Sequence, residues 1–479
     1  MFKQQIIFKK KQINYYSILL FSLILIGTSC AETEDGVAFR HLKTENNKTY
    51  FNNELFTGTA VKEYTKRMLK EYLAFQDGEI QHSKMLYASG ATKAEKNFEN
   101  GQQHGMAQEW YENGELAAKI FFTEGKRIQR IDFHENGAKK ETQHFSAGKL
   151  DSLHQKWHDN GKLAFEEFWL KGKQVGALRA WHENGQLARE AFYKNGALDS
   201  IRMEWYEDGS TKTEVKFLNQ KRHGKKSQWH ENGELALVEE YKNGVLDGKR
   251  QSWFANGQLE REVNFVKGEK NGERNEWNKA GKLITQEKYK NGILLSQNKW
   301  HKNGQKAAER LFNDNGQKNG VEKEWHSNGQ QKLEVKWDNG QKIGVATHWT
   351  EQGKVISETA FEKDMVNGTE KKWFPNGKLK EEISLKNGKR EGKYKKYYEN
   401  GILELEQNYA NGVLDGESIN WYQNGKKKEV KNFKKGLKHG LRTVWYQNGK
   451  VKSEMKFQND RIVGKIKEWK QDGTLKVKK

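Results

Sequence analysis

The 479-residue sequence predicts an all-β fold: an elongated antiparallel β-meander, or solenoid, of about 17–18 tandem 24-residue β-hairpin repeats forming a twisted, coiled sheet. Three observations predict it. The phrase aromatic-x-x-Asn-Gly recurs from Trp110 to Gly473. With a weaker copy at Gly90 it supplies 17 glycines, 13 of whose 16 spacings are 24 residues, the others being 23, 23 and 25. A second phrase, aromatic-x-Asn-Gly-x-x-x-Gly, sits half a period away, as in Phe98–Gly105, Tyr241–Gly248 and Tyr409–Gly416. The composition joins 16 Trp and 46 Gly to a single Pro, which suits strands and tight turns because Pro removes a ladder donor and Gly supplies positive φ.

Residues 1–30 read as an export signal. Lys3 and Lys9–Lys11 are basic, and Ser17–Ile26 is an apolar run too short to span a bilayer. The small residues Gly27, Thr28 and Ser29 precede Cys30, the sole cysteine, so no disulfide framework exists. This junction resembles a bacterial lipobox with Cys30 as the lipidated residue, although Gly27 stands where Leu is usual. Cleavage after Ala31, with Ser29 at the −3 position, is the rival reading. Either way the chain is expected to be exported, and lipidation would anchor it to the bacterial cell envelope, at the outer membrane or cell surface. Residues 31–48 read as a polar tether. Residues 49–86 read as degenerate N-terminal capping repeats, because Phe51–Gly58 and Phe75–Gly78 fall in phase with the second phrase. Residues 87–479 are the tandem repeats.

Within a repeat, Asn-Gly predicts type I′ turns with positive φ at both central residues. Two turns per 24 residues leave strands of about 6–8 residues that run antiparallel. Gly114, Gly161, Gly185, Gly233, Gly257, Gly377, Gly425 and Gly449 are the expected structural turn residues. Trp110, Trp157, Trp181, Trp229, Trp253, Trp373, Trp421 and Trp445 are expected to line one face as a buried column. Cross-strand aromatic pairs would add roughly 0.2–1 kcal/mol per step. The closing glycine of the second phrase is replaced by Gln129, Ser152, Ser200 and Ser296, where looser turns are expected.

Trp445-Tyr-Gln-Asn-Gly-Lys450 with Phe457 and Gly464, and Trp421-Tyr-Gln-Asn-Gly-Lys426 with Phe433, Gly436 and Gly440, resemble MORN repeats. They are most similar to the bacterial MORN-variant repeats labelled YwqK-family antitoxin proteins. The resemblance covers about residues 49–479. It implies one hairpin per repeat and a scaffold or membrane-associated binding role. An antitoxin would act in the cytoplasm, which the leader opposes.

The formal net charge is +21, and loss of the four leader lysines leaves +17. Such an excess favours anionic glycans, lipid headgroups or nucleic acid. Lysines run along the whole chain, as on a solvated sheet face. His134, His158, His182, His230, His301 and His326 share one repeat position. Equivalent residues lie two strands, roughly 10 Å, apart, too far for a shared zinc ion, so they read as hydrated hairpin tips. The Glu190, Glu214 and Glu262 column offers no unique carboxylate pair and reads as cross-strand Glu–Lys pairing. No catalytic triad stands out. The sequence thus predicts no enzyme activity, no cofactor and no metal, but an envelope-anchored scaffold binding a protein or an anionic envelope component. Membrane attachment would come from the N-terminal lipid, nucleic acid is not expected, and no oligomeric state is indicated. The alternatives are direct binding of an anionic polymer or lipid surface, and an antitoxin-like inhibitor.

Overall fold

Glycine and asparagine decide the fold locally, because each repeat alternates two chemically different turns between strands of mostly eight and nine residues. The computed structural model describes residues 36–64 and 69–476; the leader and Cys30 lie outside the described residues. The chain is all-β and divides into two units, one ending at Gly137 and one beginning at Ala138.

In the first unit the strands Gly58–Tyr64, Leu69–Gln76, Glu79–Leu86, Thr92–Glu99, Gly105–Trp110, Leu116–Thr123 and Lys126–Phe133 pair antiparallel in succession. Val37–Ala38 pairs in parallel with Gly58–Tyr64, and Lys43–Glu45, Lys48–Phe51 and Glu54–Leu55 form a small sheet of their own. From Gly36 onward the stretch read as a tether is therefore folded. The reason is apolar: Val37, Phe39 and Leu42 pack with Phe51 and Ile80 against buried Phe56, Ala60, Leu73 and Phe75. This cluster removes apolar surface that the first hairpins would otherwise leave in water.

In the second unit consecutive strands pair antiparallel from Lys139–Ser146 to Arg461–Glu468, each pair stepping to the next through a turn. The two turns differ from the single expected type. The second phrase is the type I′ hairpin: Asn243 and Gly244 both have positive φ, 52° and 89°. In the first phrase only the glycine is left-handed. At His230–Glu234, Gly233 (φ 85°) donates to the His230 carbonyl at 2.9 Å, and His230 N–H donates to Glu234 at 2.8 Å. That is a type I turn closed by a left-handed glycine bulge. Asn232 keeps ordinary negative φ because one more residue shares the reversal, and its Oδ1 accepts the Glu234 N–H at 3.1 Å. All eight structural glycines named from sequence occupy the left-handed region.

The irregular spacings have local causes. The 25-residue interval inserts one residue at Asn313–Gly316. That turn becomes the bulged type, with Gly316 N–H on the Asn313 carbonyl at 2.9 Å. The two 23-residue intervals shorten the strands Lys126–Phe133 and Ile293–Trp300 to eight residues, against nine in Val245–Trp253. Gln129 and Ser296 sit there and need no positive φ, whereas Ser152 and Ser200 hold the left-handed conformation at φ 75° and 78°. Those two turns are strained rather than loose. Left-handed geometry costs a non-glycine residue about 1–2 kcal/mol, and glycine returns about 0.4–1 kcal/mol through the unfolded chain. Ser200→Gly is expected to stabilise the protein by about 0.5–1 kcal/mol. An unchanged or lowered urea midpoint would refute this.

The core corrects a second expectation. Side chains alternate between two faces: the aromatic column near the type I′ turns, as Tyr241, shares a face with Glu239, whereas the tryptophans near the bulged turns, as Trp229 three residues after Lys226, lie on the other. The named tryptophans are only half-buried. The innermost row runs beside the type I′ column, through Val215, Lys226, Glu239, Arg250, Val263, Arg274 and Glu287, each the register partner of the next. Val263 is 3% exposed and Glu239 6%. Rings in one column are two strands apart and cannot stack. Cations cover them instead: Arg222 over Tyr241 at 5.2 Å, Lys270 over Tyr289 at 4.7 Å and Lys318 over Trp337 at 4.4 Å.

Candidate interaction surface

Successive repeats are joined by side chains that reach one period ahead. Asn184, Asn232, Asn376 and Asn424, each just before the glycine of a bulged turn, donate from Nδ2 to the backbone carbonyl of Glu207, Ala255, Glu399 and Gln447 in the next repeat, at 2.6–3.0 Å. The residue after the tryptophan makes a second link. His158, His182, His230, His301 and His326 donate from Nε2 to the carbonyls of Trp181, Trp205, Trp253, Trp325 and Trp349 at 2.9–3.1 Å. Tyr206, Tyr398, Tyr422 and Tyr446 do the same with their hydroxyls at 2.8 Å. These histidines are therefore part-buried links and not hydrated tips. Histidine and tyrosine alternate there because both place a ring-borne donor at similar reach. Lysines after the turn glycine add a third link, as Lys162 to Asn184 at 2.9 Å and Lys426 to Asn448 at 2.7 Å.

Inside the row, charges are paired across strands. Glu239 accepts from Lys226 at 2.8 Å, Arg250 at 3.0 Å and the Tyr241 hydroxyl at 3.0 Å. Glu287 meets Arg274 at 2.6 Å, Gln297 at 2.7 Å and Tyr289 at 2.9 Å. Glu322 meets Arg310 at 2.6 Å, Lys318 at 2.7 Å and the Trp337 indole N–H at 2.8 Å. Burial pushes these three carboxyls up, but the donors outweigh it and hold them below the usual carboxylate range. Burial and Glu287 together push the Tyr289 hydroxyl up to about 12.

One repeat departs from this scheme. His154 lies buried between two carboxylates, Nδ1 2.8 Å from Glu167 and Nε2 2.6 Å from Glu141. Lys156 approaches Glu141 at 3.6 Å, Gln174 donates to Glu167 at 2.7 Å, and Phe165 meets the imidazole edge-on at 5.8 Å. Burial lowers the imidazole's affinity for its proton, yet the hydrogen bonds to Glu167 and Glu141 more than compensate and raise its pKa.

On the opposite face Glu190 meets Arg179 at 2.8 Å, and Glu262 meets Lys249 at 3.5 Å and Gln251 at 2.6 Å. Glu214 has Lys216 of its own strand at 3.9 Å. The charge is not evenly spread. Residues 421–479 contain 18 Lys and Arg against 5 Asp and Glu, a net +13, whereas residues 31–420 net only +4. Lysines running the full length of the chain hid this, because acidic residues thin out where lysines persist; a running charge count reveals it.

Tandem hairpins tied by repeated asparagine, histidine, tyrosine and lysine links define a repeat scaffold. Eight segments match the MORN repeat variant family: residues 103–124, 174–195, 222–243, 246–267, 366–387, 390–411, 414–435 and 438–459. The chain thus carries MORN-variant repeats in those eight places. No curated protein matches it. Among solved structures the chain is similar to the crystal structure of TcdB2-TccC3, with 10% identity over 85% of this chain and 28% of that one, at a TM-score of 0.14. It is also similar to that of TcdB2-TccC3-Cdc42, with 12% identity over 83% and 26%, again at 0.14. The chain therefore spans about a quarter of the length of those proteins.

Proposed function

We propose that the chain is a non-enzymatic, envelope-anchored repeat scaffold that binds another macromolecule on the outward faces of its repeats. The observation that carries this reading is the succession of inter-repeat links. They spend the chain's polar chemistry on holding one surface in register and repeat it every 24 residues. The basic leader ending at Cys30 supports the envelope location. Labelling the full chain with a fatty-acid analogue is expected to yield a lipidated, membrane-fractionating product that Cys30→Ser abolishes. Pulldown from envelope extract is expected to recover a reproducible partner. Absence of label removes the anchor, and absence of any reproducible partner removes the binding role.

A second reading, direct binding of an anionic polymer or surface, is favoured by the +13 charge over residues 421–479. Affinity would then fall steeply with salt.

A further inference from the structure

We infer that the repeats over residues 421–476 form a docking surface for a linear polyanion without bases, a polymer or glycan carrying phosphate or carboxylate groups. The inference rests on the binding-scaffold reading and gives it a place and a ligand chemistry. The few acidic groups in this stretch are mostly engaged. Glu429 holds Lys431 at 2.9 Å and Arg442 at 2.6 Å, Glu468 meets Lys476 at 3.5 Å, and Asp460 and Asp472 accept backbone N–H groups. By contrast Lys434, Lys435, Lys456, Arg461, Lys465 and Lys467 are exposed, and among the described residues no carboxylate lies within ion-pair distance of them.

Their placement selects the partner. Lys434, Lys435 and Arg461 lie at the type I′ turns, and Lys456 and Lys467 stand on the face away from Phe457. A flat bilayer reaches only some of these groups at once, whereas a flexible chain follows them around the strands. Of the 18 cations over residues 421–479, 16 are lysines, compact point charges without the planar fork that reads base edges. Three of the seven aromatic rings are covered by lysines, Tyr422 by Lys428 at 5.7 Å, Tyr446 by Lys452 at 5.6 Å and Phe457 by Lys438 at 5.5 Å, and the other four, Trp421, Phe433, Trp445 and Trp469, are half-buried. The exposed cations thus meet anionic groups, and among the described residues no aromatic ring of the stretch is fully exposed as a platform for a base.

The test uses the full chain carrying Cys30→Ser, with fluorescently labelled polyphosphate as the phosphate probe and polygalacturonate as the carboxylate probe. Binding to at least one is expected, falling steeply between 50 and 200 mM salt. The variant Lys434→Gln/Lys435→Gln/Lys465→Gln/Lys467→Gln is expected to weaken it by roughly 100-fold, since a few neutralised charges carry that much at low salt. The control Lys171→Gln/Lys173→Gln/Lys194→Gln/Lys221→Gln is expected to bind as the parent does. Unchanged circular dichroism would show that both variants fold; if the first does not, Lys465→Gln/Lys467→Gln, both exposed on one strand, takes its place with a proportionate loss. The inference is overturned by failure to bind either polymer, by equal weakening in the control, or by preferential binding of single-stranded DNA or anionic vesicles. A reproducible envelope partner alongside failed polymer binding would overturn this inference and leave the scaffold reading standing.

Discussion

Exchanging Glu239 for alanine is expected to destabilise the protein by about 2–4 kcal/mol, the largest single-residue effect outside the glycine turns. The carboxylate is buried, and so is most of Lys226, whose ammonium it holds at 2.8 Å. Removing one partner leaves the other charge in a poorly solvated row, a loss of about 3–5 kcal/mol for fully buried pairs and somewhat less here because Arg250 is partly exposed. The double variant Lys226→Met/Glu239→Val is expected to recover most of the loss. Val215 and Val263 already occupy the same row on the neighbouring repeats, so the backbone accepts valine there. Urea denaturation of the two singles and the double measures the coupling. A double variant as unstable as Glu239→Ala would show that the row needs its charges for more than mutual compensation.

Stability is also expected to pass through a maximum at mildly acidic pH, and His154 is expected to be the cause. Its pKa is raised in the folded state, so its contribution is complete below the unfolded value, about 6.5, and is lost as pH rises through the folded value. Burial pushes the Glu167 carboxyl up, but His154 outweighs it and lowers the pKa. That contribution is complete above the unfolded value, about 4.3, and is lost as pH falls. The window of greatest stability from this cluster therefore lies between about pH 4.3 and 6.5. Facing the imidazole are Glu141 on one strand, Glu167 on the other, Lys156 beside Glu141 and neutral Gln174 beside Glu167. In His154→Gln the decline in urea midpoint from pH 6 to 8 is expected to flatten. An equal decline in parent and variant would assign it to other groups.

Much of the fold was legible because the reversals are written in short local words. Asn243-Gly244 needs positive φ at two positions, and few other residue pairs accept that. The half-period spacing of the two phrases gave strand length, and hence antiparallel succession, before any contact was known. The distinction between the two turns was less legible, because both end in Asn-Gly. Only the residue count between paired positions, His230 to Glu234 against Tyr241 to Leu246, separates a bulged type I turn from type I′. The folded start from Gly36 was missed because its apolar residues, Val37, Phe39 and Leu42, are separated by polar ones and find partners more than a dozen residues away.

Local sequence by itself determined the strands, the turns, the repeat length and the concentration of positive charge over residues 421–479, since each depends on backbone preference or on a count. Tertiary structure alone decided that the tryptophans are only half-buried and that Lys226, Glu239 and Arg250 lie in the innermost row. It also decided that His182 reaches Trp205 one repeat on. The physical reason is distance across the sheet. A single strand specifies which side chains share a face, but which of them are shielded from water depends on what the next strands place beside them. A charged residue therefore reads as solvated until its partner, thirteen residues away for Lys226 and Glu239, is seen to meet it.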